Sequence, residues 1–272
     1  MGDGASSQPK AQDVEMESDE EPTNQNADPN IPQLPQKKKY RQRAHSNPMS
    51  DHDVLYPRQP GGMAWDDQFV NYSHLQEVTV ADVGCGFGGM LMALAGLFPD
   101  EFMVGFELRV QVSNFVKDKI NVLRVRSKMI PEEKVQGDYG NVACLRTNAM
   151  KFIPCYFRKG ELKKMFILFP DPHFKKQKHK WRIVSQGLLT EYAFVMRPGG
   201  LLYTISDVKE VHDWIVMHCE KHPLWERLTE EELSDDLCYP LLSKVTEEGQ
   251  KVRREGRESW PAVFRRLPDP AQ

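Results

Sequence analysis

A single acid stands among many bases at residues 169–182, which read F-P-D-P-H-F-K-K-Q-K-H-K-W-R. An apolar run, Met165-Phe166-Ile167-Leu168-Phe169, stops at Pro170, and Asp171 follows it. Four lysines, one arginine and two histidines then come before Ile183. That order suits a site holding a polyanion while one carboxylate addresses a reacting group. Lys175, Lys176, Lys178, Lys180 and Arg182 are the expected polyanion contacts. On a nucleic-acid backbone such side chains act as charges whose affinity falls with salt. Phe174 and Trp181 interleave with them, and Lys251, Arg253, Arg254 and Arg257 form a second basic group that extends the patch.

A second chemical feature is Asp82-Val83-Gly84-Cys85-Gly86-Phe87-Gly88-Gly89. Glycines between a strand and a helix let the backbone turn sharply and approach a ligand. Gly84, Gly86 and Gly89 satisfy G-x-G-x-x-G, a pattern that a ligand-free tight turn also satisfies. Glu107 ends the next strand, where an acid accepts hydrogen bonds from ribose hydroxyls. Asp82, two residues before the first glycine, is not required by a plain NAD loop. D-x-G-x-G-x-G with an acid at the second strand resembles the loop of class I S-adenosylmethionine-dependent methyltransferases. Asn148-Ala149, after the third strand, lies where that family contacts the adenine edge. An NAD loop predicts bound nicotinamide and no methyl transfer. His218 and His222 have i, i+4 spacing but no third ligand in view, so a solvated helix face is expected and no metal.

These residues need elements to position them. Short β-rich runs at 78–83, 102–106, 142–145, 165–169 and 201–205 alternate with helical patterns at 90–98, 109–126, 188–196 and 208–222. Residues 127–140 read as a polar loop, and Pro198-Gly199-Gly200 as the stop of the helix before it. Ala262-Val263-Phe264 reads as a late strand returning to the sheet edge. The alternation predicts an α/β fold, Rossmann-like, with a mostly parallel central sheet and helices on both faces. Ligands of such sheets bind beyond the carboxyl ends of the strands, so Asp171 should face the crevice that holds Gly84 and Glu107. Pro170 and Pro172 hold its backbone extended.

The net charge of −3 hides an uneven distribution. Residues 1–36 carry −7 and the remainder +4. Residues 1–36 are polar and acidic, cannot offset the entropy of ordering, and read as a disordered tail. Residues 37–74 read as a basic, partly ordered arm, and 75–272 as the catalytic domain. Five widely spaced cysteines without a Cys-x-x-Cys pair read as reduced thiols of an intracellular protein. No apolar run approaches the ~20 residues of a membrane helix, and no apolar signal segment opens the chain. Lys37-Lys38-Lys39 with Arg41 and Arg43 fit a nuclear import signal or a solvated basic arm.

Taken together the motifs resemble the tRNA (guanine-N7-)-methyltransferase family, most closely its eukaryotic catalytic subunit. They are Arg41-Gln42-Arg43-Ala44-His45-Ser46-Asn47-Pro48, the Asp82–Gly89 loop, Gly105-x-Glu107-x-Arg109, Asn148-Ala149-Met150-Lys151, Leu168-Phe169-Pro170-Asp171-Pro172-His173-Phe174-Lys175, Lys178-His179-Lys180-Trp181-Arg182 and Thr246-Glu247-Glu248-Gly249. The resemblance implies S-adenosylmethionine as methyl donor and a guanosine of the tRNA variable loop as target. By position it implies cofactor contacts from Gly84, Gly86, Glu107, Arg109, Asn148, Ala149 and Leu168, and the active-site acid at Asp171. Residues 172–180 and 244–252, with Thr246 and Glu248, match segments that the family moves or orders around tRNA. It implies a WD-repeat, non-catalytic partner in a heterodimer, and the basic run at 37–43 makes the nucleus the expected location. The stretch between Trp65 and Val78 is shorter than the family's. Arg41-x-Arg43-x-x-Ser46 has the form of a basophilic kinase site, which makes Ser46 a candidate regulatory residue. Methylation of another RNA, and a non-catalytic RNA-binding subunit, are the alternatives the sequence leaves open.

Overall fold

The computed structural model describes residues 30–43, 46–50 and 52–270. The expected disordered tail therefore falls, up to residue 29, outside the described residues, as do Ala44 and His45 of the arm. The compact body begins at Pro32. The carbonyl of Pro32 already accepts a hydrogen bond from Arg126 Nη1 at 3.2 Å, so the ordered arm starts ahead of residue 37.

Seven strands form one sheet: β1 (Val78–Val83), β2 (Phe102–Glu107), β3 (Val142–Arg146), β4 (Leu162–Leu168), β5 (Met196–Ser206), β6 (Trp225–Arg227) and β7 (Trp260–Arg266). Their order is β3-β2-β1-β4-β5-β7-β6. β1 to β5 pair in parallel, and β7 runs against both β5 and β6. β1 and β2 are buried along their whole length, as parallel strands covered on two faces must be. The helices are α1 (Gly89–Leu97), α2 (Val110–Met129), α3 (Ala149–Tyr156), α4 (Gln186–Val195), α5 (Lys209–Lys221) and α6 (Glu247–Arg254).

Alternation along the strands builds two cores. On β2, Met103 joins Leu91 and Leu94 of α1 and Phe115 and Val116 of α2. Phe102, Val104 and Phe106 join Ile153, Tyr156, Leu189 and Ile215 of α3, α4 and α5. Trp65 and Phe69, from the segment ahead of β1, belong to this second core. The short stretch before Val78 is thus docked by its aromatics.

After β3 the chain crosses to β4 on the other side of β1. Such a reversal opens a crevice at the carboxyl ends of the two central strands. The glycine segment leaves β1 there and the Pro170–Pro172 segment leaves β4 there, so the fold sets them face to face.

Several expectations from sequence are corrected. α2 continues through Met129 and a 3-10 turn covers Pro131–Glu133, where a loop was expected over 127–140. α3 was not expected, because it is short and contains Pro154. α4 ends at Val195 and pairing of β5 begins at Met196, so Pro198-Gly199-Gly200 forms a bulge within the strand and does not stop the helix. β7 lies inside the sheet; the edge is β6, three residues long. His222 is buried and does not lie on a solvated face. Its Nδ1 accepts from Leu224 N at 3.2 Å, which leaves Nε2 to donate to Thr190 Oγ1 at 3.0 Å. Burial, then Arg266, lowers its pKa. His218 stacks on Trp214 with ring centroids 4.1 Å apart.

Candidate active site

The first wall of the crevice is built from backbone. Gly84 N and Cys85 N both donate to the Phe106 carbonyl, at 2.8 and 3.1 Å, and Gly88 N closes a turn on Cys85 O at 2.9 Å. Gly84 and Gly86 have φ of +76° and +53°, which L side chains resist. A Cβ added to either meets nothing within 4 Å. The loop therefore bares main chain to open space, the condition for a ligand to approach it closely. Gly89 is different: a Cβ there would lie 2.1 Å from the Val245 carbonyl. The 245–246 backbone is laid directly on the start of α1.

Acids line this wall. Asp82 is 2% exposed, and burial, reinforced by Glu107 and Glu247, raises its pKa from 3.8 to about 7. Glu107 ends β2 and grips Arg109: Oε1 accepts from its N and Nε at 2.9 and 3.0 Å, and Oε2 from Nη2 at 2.9 Å. A carboxylate has about four acceptor sites, so this fork fixes Glu107 and leaves it capacity for a ribose hydroxyl. Burial alone would lower the pKa of Arg109, but the Glu107 pair and the nearby Asp171 hold it raised.

At the end of β3, Asn148 is 3% exposed and its Nδ2 donates to the Pro48 carbonyl at 2.6 Å. The arm thus covers the amide expected at the adenine edge. It continues along the same surface, with Asp53 O on Arg146 Nη1 at 2.7 Å and Tyr56 stacked on Phe152 at 3.8 Å. Ala149 begins α3 and is buried. Thr147, one residue earlier, is buried with its hydroxyl beside the Tyr156 phenol. The open glycines and the held Glu107 carboxylate make a cradle whose chemistry fits an adenosine bearing ribose hydroxyls.

The second wall is an arch. Leu168 ends β4 half-buried, and Phe169 N donates to Ile205 O at 2.8 Å. Phe169 and His173 both have positive φ, 49° and 44°. Between them Asp171 is half-buried. Lys175, Lys176, Lys178 and Lys180 are exposed on or beside a 3-10 helix over Lys176–Trp181. Phe174 is 66% exposed, and Lys178 Nζ lies 5.0 Å from the Trp181 ring centroid.

Arg182 departs from its expected place. It is 3% exposed, donates from Nε to Pro172 O at 2.9 Å and from Nη2 to Glu210 at 2.6 Å, and lies against Trp214. Its guanidinium faces inward, so it presents no surface to an RNA backbone. Two members of the second basic group are also paired. Arg257 pairs with Asp207, Glu255 and Glu248, and Lys251 with Glu248 at 3.5 Å. Glu248 is thus an ion-pair partner, and Thr246 caps α6, its Oγ1 accepting from Gly249 N at 3.1 Å. Lys37 of the arm reaches Glu247 at 3.2 Å and lies over Phe87 of the glycine loop. Ser46 is half-buried, two residues before Pro48. No cluster of three or more His, Cys, Asp and Glu with metal-binding geometry occurs among the described residues, and no described helix is long and apolar enough to cross a membrane.

Residues 76–262 match the family model described as a putative methyltransferase. The chain is 54% identical over 258 residues to a tRNA (guanine-N(7)-)-methyltransferase of Caenorhabditis elegans, covering 95% of this chain and 97% of that one. It is 56% identical over 238 residues to the protein so named in Brugia malayi, covering 88% and 89%, and 54% identical over 243 residues to that of Danio rerio, covering 87% and 98%. Among solved structures it is similar to the 16S rRNA methyltransferase KamB, with a TM-score of 0.45 at 15% identity over 78% of this chain and 99% of that one.

Proposed function

Because the chain belongs to the tRNA (guanine-N7-)-methyltransferase family, we propose that its crevice brings the N7 of a guanosine in the tRNA variable loop to a methyl donor, with Asp171 as the residue that addresses the base. The chain is an S-adenosylmethionine-dependent methyltransferase. When bound, that cofactor supplies a methyl group on a positively charged sulfur. Gly84 and Gly86 offer it an unobstructed main chain, Glu107 and Arg109 a fixed acid for the ribose, and Asn148, Ala149 and Leu168 the remaining walls.

Guanine N7 carries a free lone pair and no proton. Its methylation releases no proton, so no general base is demanded. Alignment is then the main task, and well-oriented reactants can gain up to ~7–11 kcal/mol from it. The base must leave its stack to enter the crevice. Asp171 accepts from the ring's N–H donors and offsets the positive charge that grows on guanine as the methyl arrives. Lys175, Lys176, Lys178 and Lys180 hold the RNA backbone from outside the arch.

The observation that carries this reading is the position of Asp171. It is half-buried on the β4 arch, across the switch-point crevice from the open glycines and close enough for its charge to act on Arg109. The test is Asp171→Ala. Cofactor affinity by calorimetry should stay at the wild-type value while methylation of total tRNA falls by about 10²–10³-fold, to a slow but measurable rate. Near-normal turnover in that variant would sink the role.

Three further proposals have separate grounds. From the resemblance, the chain works as the catalytic half of a heterodimer with a WD-repeat subunit; from the basic run Lys37-Lys38-Lys39 with Arg41 and Arg43, it acts in the nucleus; and from Arg41-x-Arg43-x-x-Ser46, it is regulated at Ser46. For Ser46 the support is position: a phosphate adds about −1.5 to −2 charge two residues from the Pro48 carbonyl that holds Asn148. Ser46→Asp should lower methylation, and full activity in that variant removes the regulatory role. Assays with and without a WD-repeat subunit test the partner, and imaging of the tagged chain tests the location.

A further inference from the structure

We infer that Arg182 is a positioning residue for methyl transfer, holding the arch so that the Asp171 carboxylate meets the base. The inference rests on the reading that Asp171 addresses guanine. The backbone of the arch is poor in donors and strained at both ends. Phe169 and His173 flank it in a backbone conformation that residues with a Cβ resist, and Pro170 and Pro172 have no N–H to tie it down.

Two hydrogen bonds tie its backbone to the rest of the fold, and the His173 ring meets Trp181 edge-on with centroids 5.8 Å apart. Phe169 N is tied to β5 at Ile205 O, and Pro172 O receives Arg182 Nε at 2.9 Å. The first fixes where the arch leaves the sheet. The second grips it one residue beyond Asp171.

Arg182 is itself held on two sides. Glu210 of α5 takes Nη2 at 2.6 Å, and the Trp214 ring lies 4.8 Å from the guanidinium carbon. Trp214 is in turn fixed by Nε1 donating to Val184 O at 2.8 Å. The third guanidinium nitrogen, Nη1, is buried without a hydrogen-bond partner, and Arg182 lines one small cavity together with Pro170 and Asp171. A buried donor without a partner is uncommon, and this one belongs to the side chain that grips the arch. A planar fork that grips Pro172 and Glu210 at once meets the geometry; a lysine does not.

The test measures steady-state methylation, tRNA affinity and cofactor affinity on the full chain, with whatever subunit the wild type needs for turnover. Arg182→Met should lower kcat by about 10²-fold, as a misplaced reacting group does. Cofactor affinity, tRNA affinity and the salt dependence of tRNA binding should stay unchanged. Arg182→Lys should fall short of rescue. Asp171→Ala combined with Arg182→Met should be no slower than Asp171→Ala alone, since Arg182 acts through that acid. Loss of tRNA affinity with kcat retained at saturation would make Arg182 an RNA contact and overturn the inference, as would multiplicative losses in the double variant. Normal turnover in Asp171→Ala alone would defeat the reading beneath it, a separate outcome. If Arg182→Met fails to fold, Glu210→Gln, at a side chain 55% exposed, decides: kcat falls with binding unchanged, or the inference is lost.

Discussion

The two walls of the crevice are made by opposite means. The β1 wall is backbone and buried acid: glycines with positive φ, a shared bond to the Phe106 carbonyl, and Asp82 sealed from water. The β4 wall is side chain and surface: exposed lysines on or beside a short 3-10 helix, an arch flanked by strained residues, and one inward arginine behind it. If the first wall takes a small cofactor and the second a long polyanion, as proposed, the contrast follows: shape is recognised by fixed backbone, and charge by exposed cations anchored only at their base. The contrast implies that damage to the first wall changes cofactor binding alone, and damage to the outer face of the second changes RNA binding alone.

The most severe test of that division is Gly84→Val. A β-branched side chain at φ +76° projects into the open crevice. Cofactor affinity should fall by about 10²-fold or more, since each ~1.4 kcal/mol of conflict is tenfold, while tRNA affinity holds. Cofactor binding at wild-type strength would mean that the open space belongs to something else. A middle effect is expected on the other wall. Changing Lys175, Lys176 and Lys178 together to alanine should weaken tRNA binding and make its log–log salt slope shallower by about 2 if three phosphate contacts are lost. Calorimetry should show the cofactor unaffected. An unaltered slope would return those lysines to ordinary solvated surface.

The smallest effect concerns Asp82 and pH. Its folded pKa of about 7 lies above the ordinary 3.8, so between those values the folded protein keeps a proton that the unfolded chain has released. That contribution to stability is full below about pH 4 and is lost as pH rises toward 7. Asp82→Asn cannot ionise, so its melting temperature should gain on the wild type as pH is raised from about 5 to about 8. A gap that does not change with pH would mean that the acid is more solvated than its burial implies.

The β1 wall was legible in the sequence because backbone geometry leaves a compositional trace: glycine is selected where φ is positive and a ligand comes close. The strands and helices from 78 to 126 were legible for a related reason, since their apolar spacing is regular. Legibility ended where one residue type serves two ends. Arg182 follows four lysines and reads as one more cation; only its 3% exposure separates a strut from a contact. α3 was hidden by Pro154, although Ile153 and Tyr156 still bury its face. β6 is too short for any period to appear. The Pro48 carbonyl on Asn148 joins residues a hundred positions apart through a backbone atom, which no side-chain pattern records.

The place of β7 in the sheet bears on how the chain is made. β7 spans Trp260–Arg266 and lies between β5 and β6. During synthesis the ribosome releases both of those strands before their shared neighbour exists. Until residue 266 emerges, β5 carries an open edge of unpaired backbone groups, the kind of surface that recruits other chains. A transcript cut short before codon 260 would therefore yield a product in which the glycine loop and the Asp171 arch are both encoded, yet two strands lack their pairing. Nascent chains of this protein should depend on chaperones until residue 266 has emerged, and chains cut before β7 should aggregate more readily than chains that lack the acidic residues 1–29.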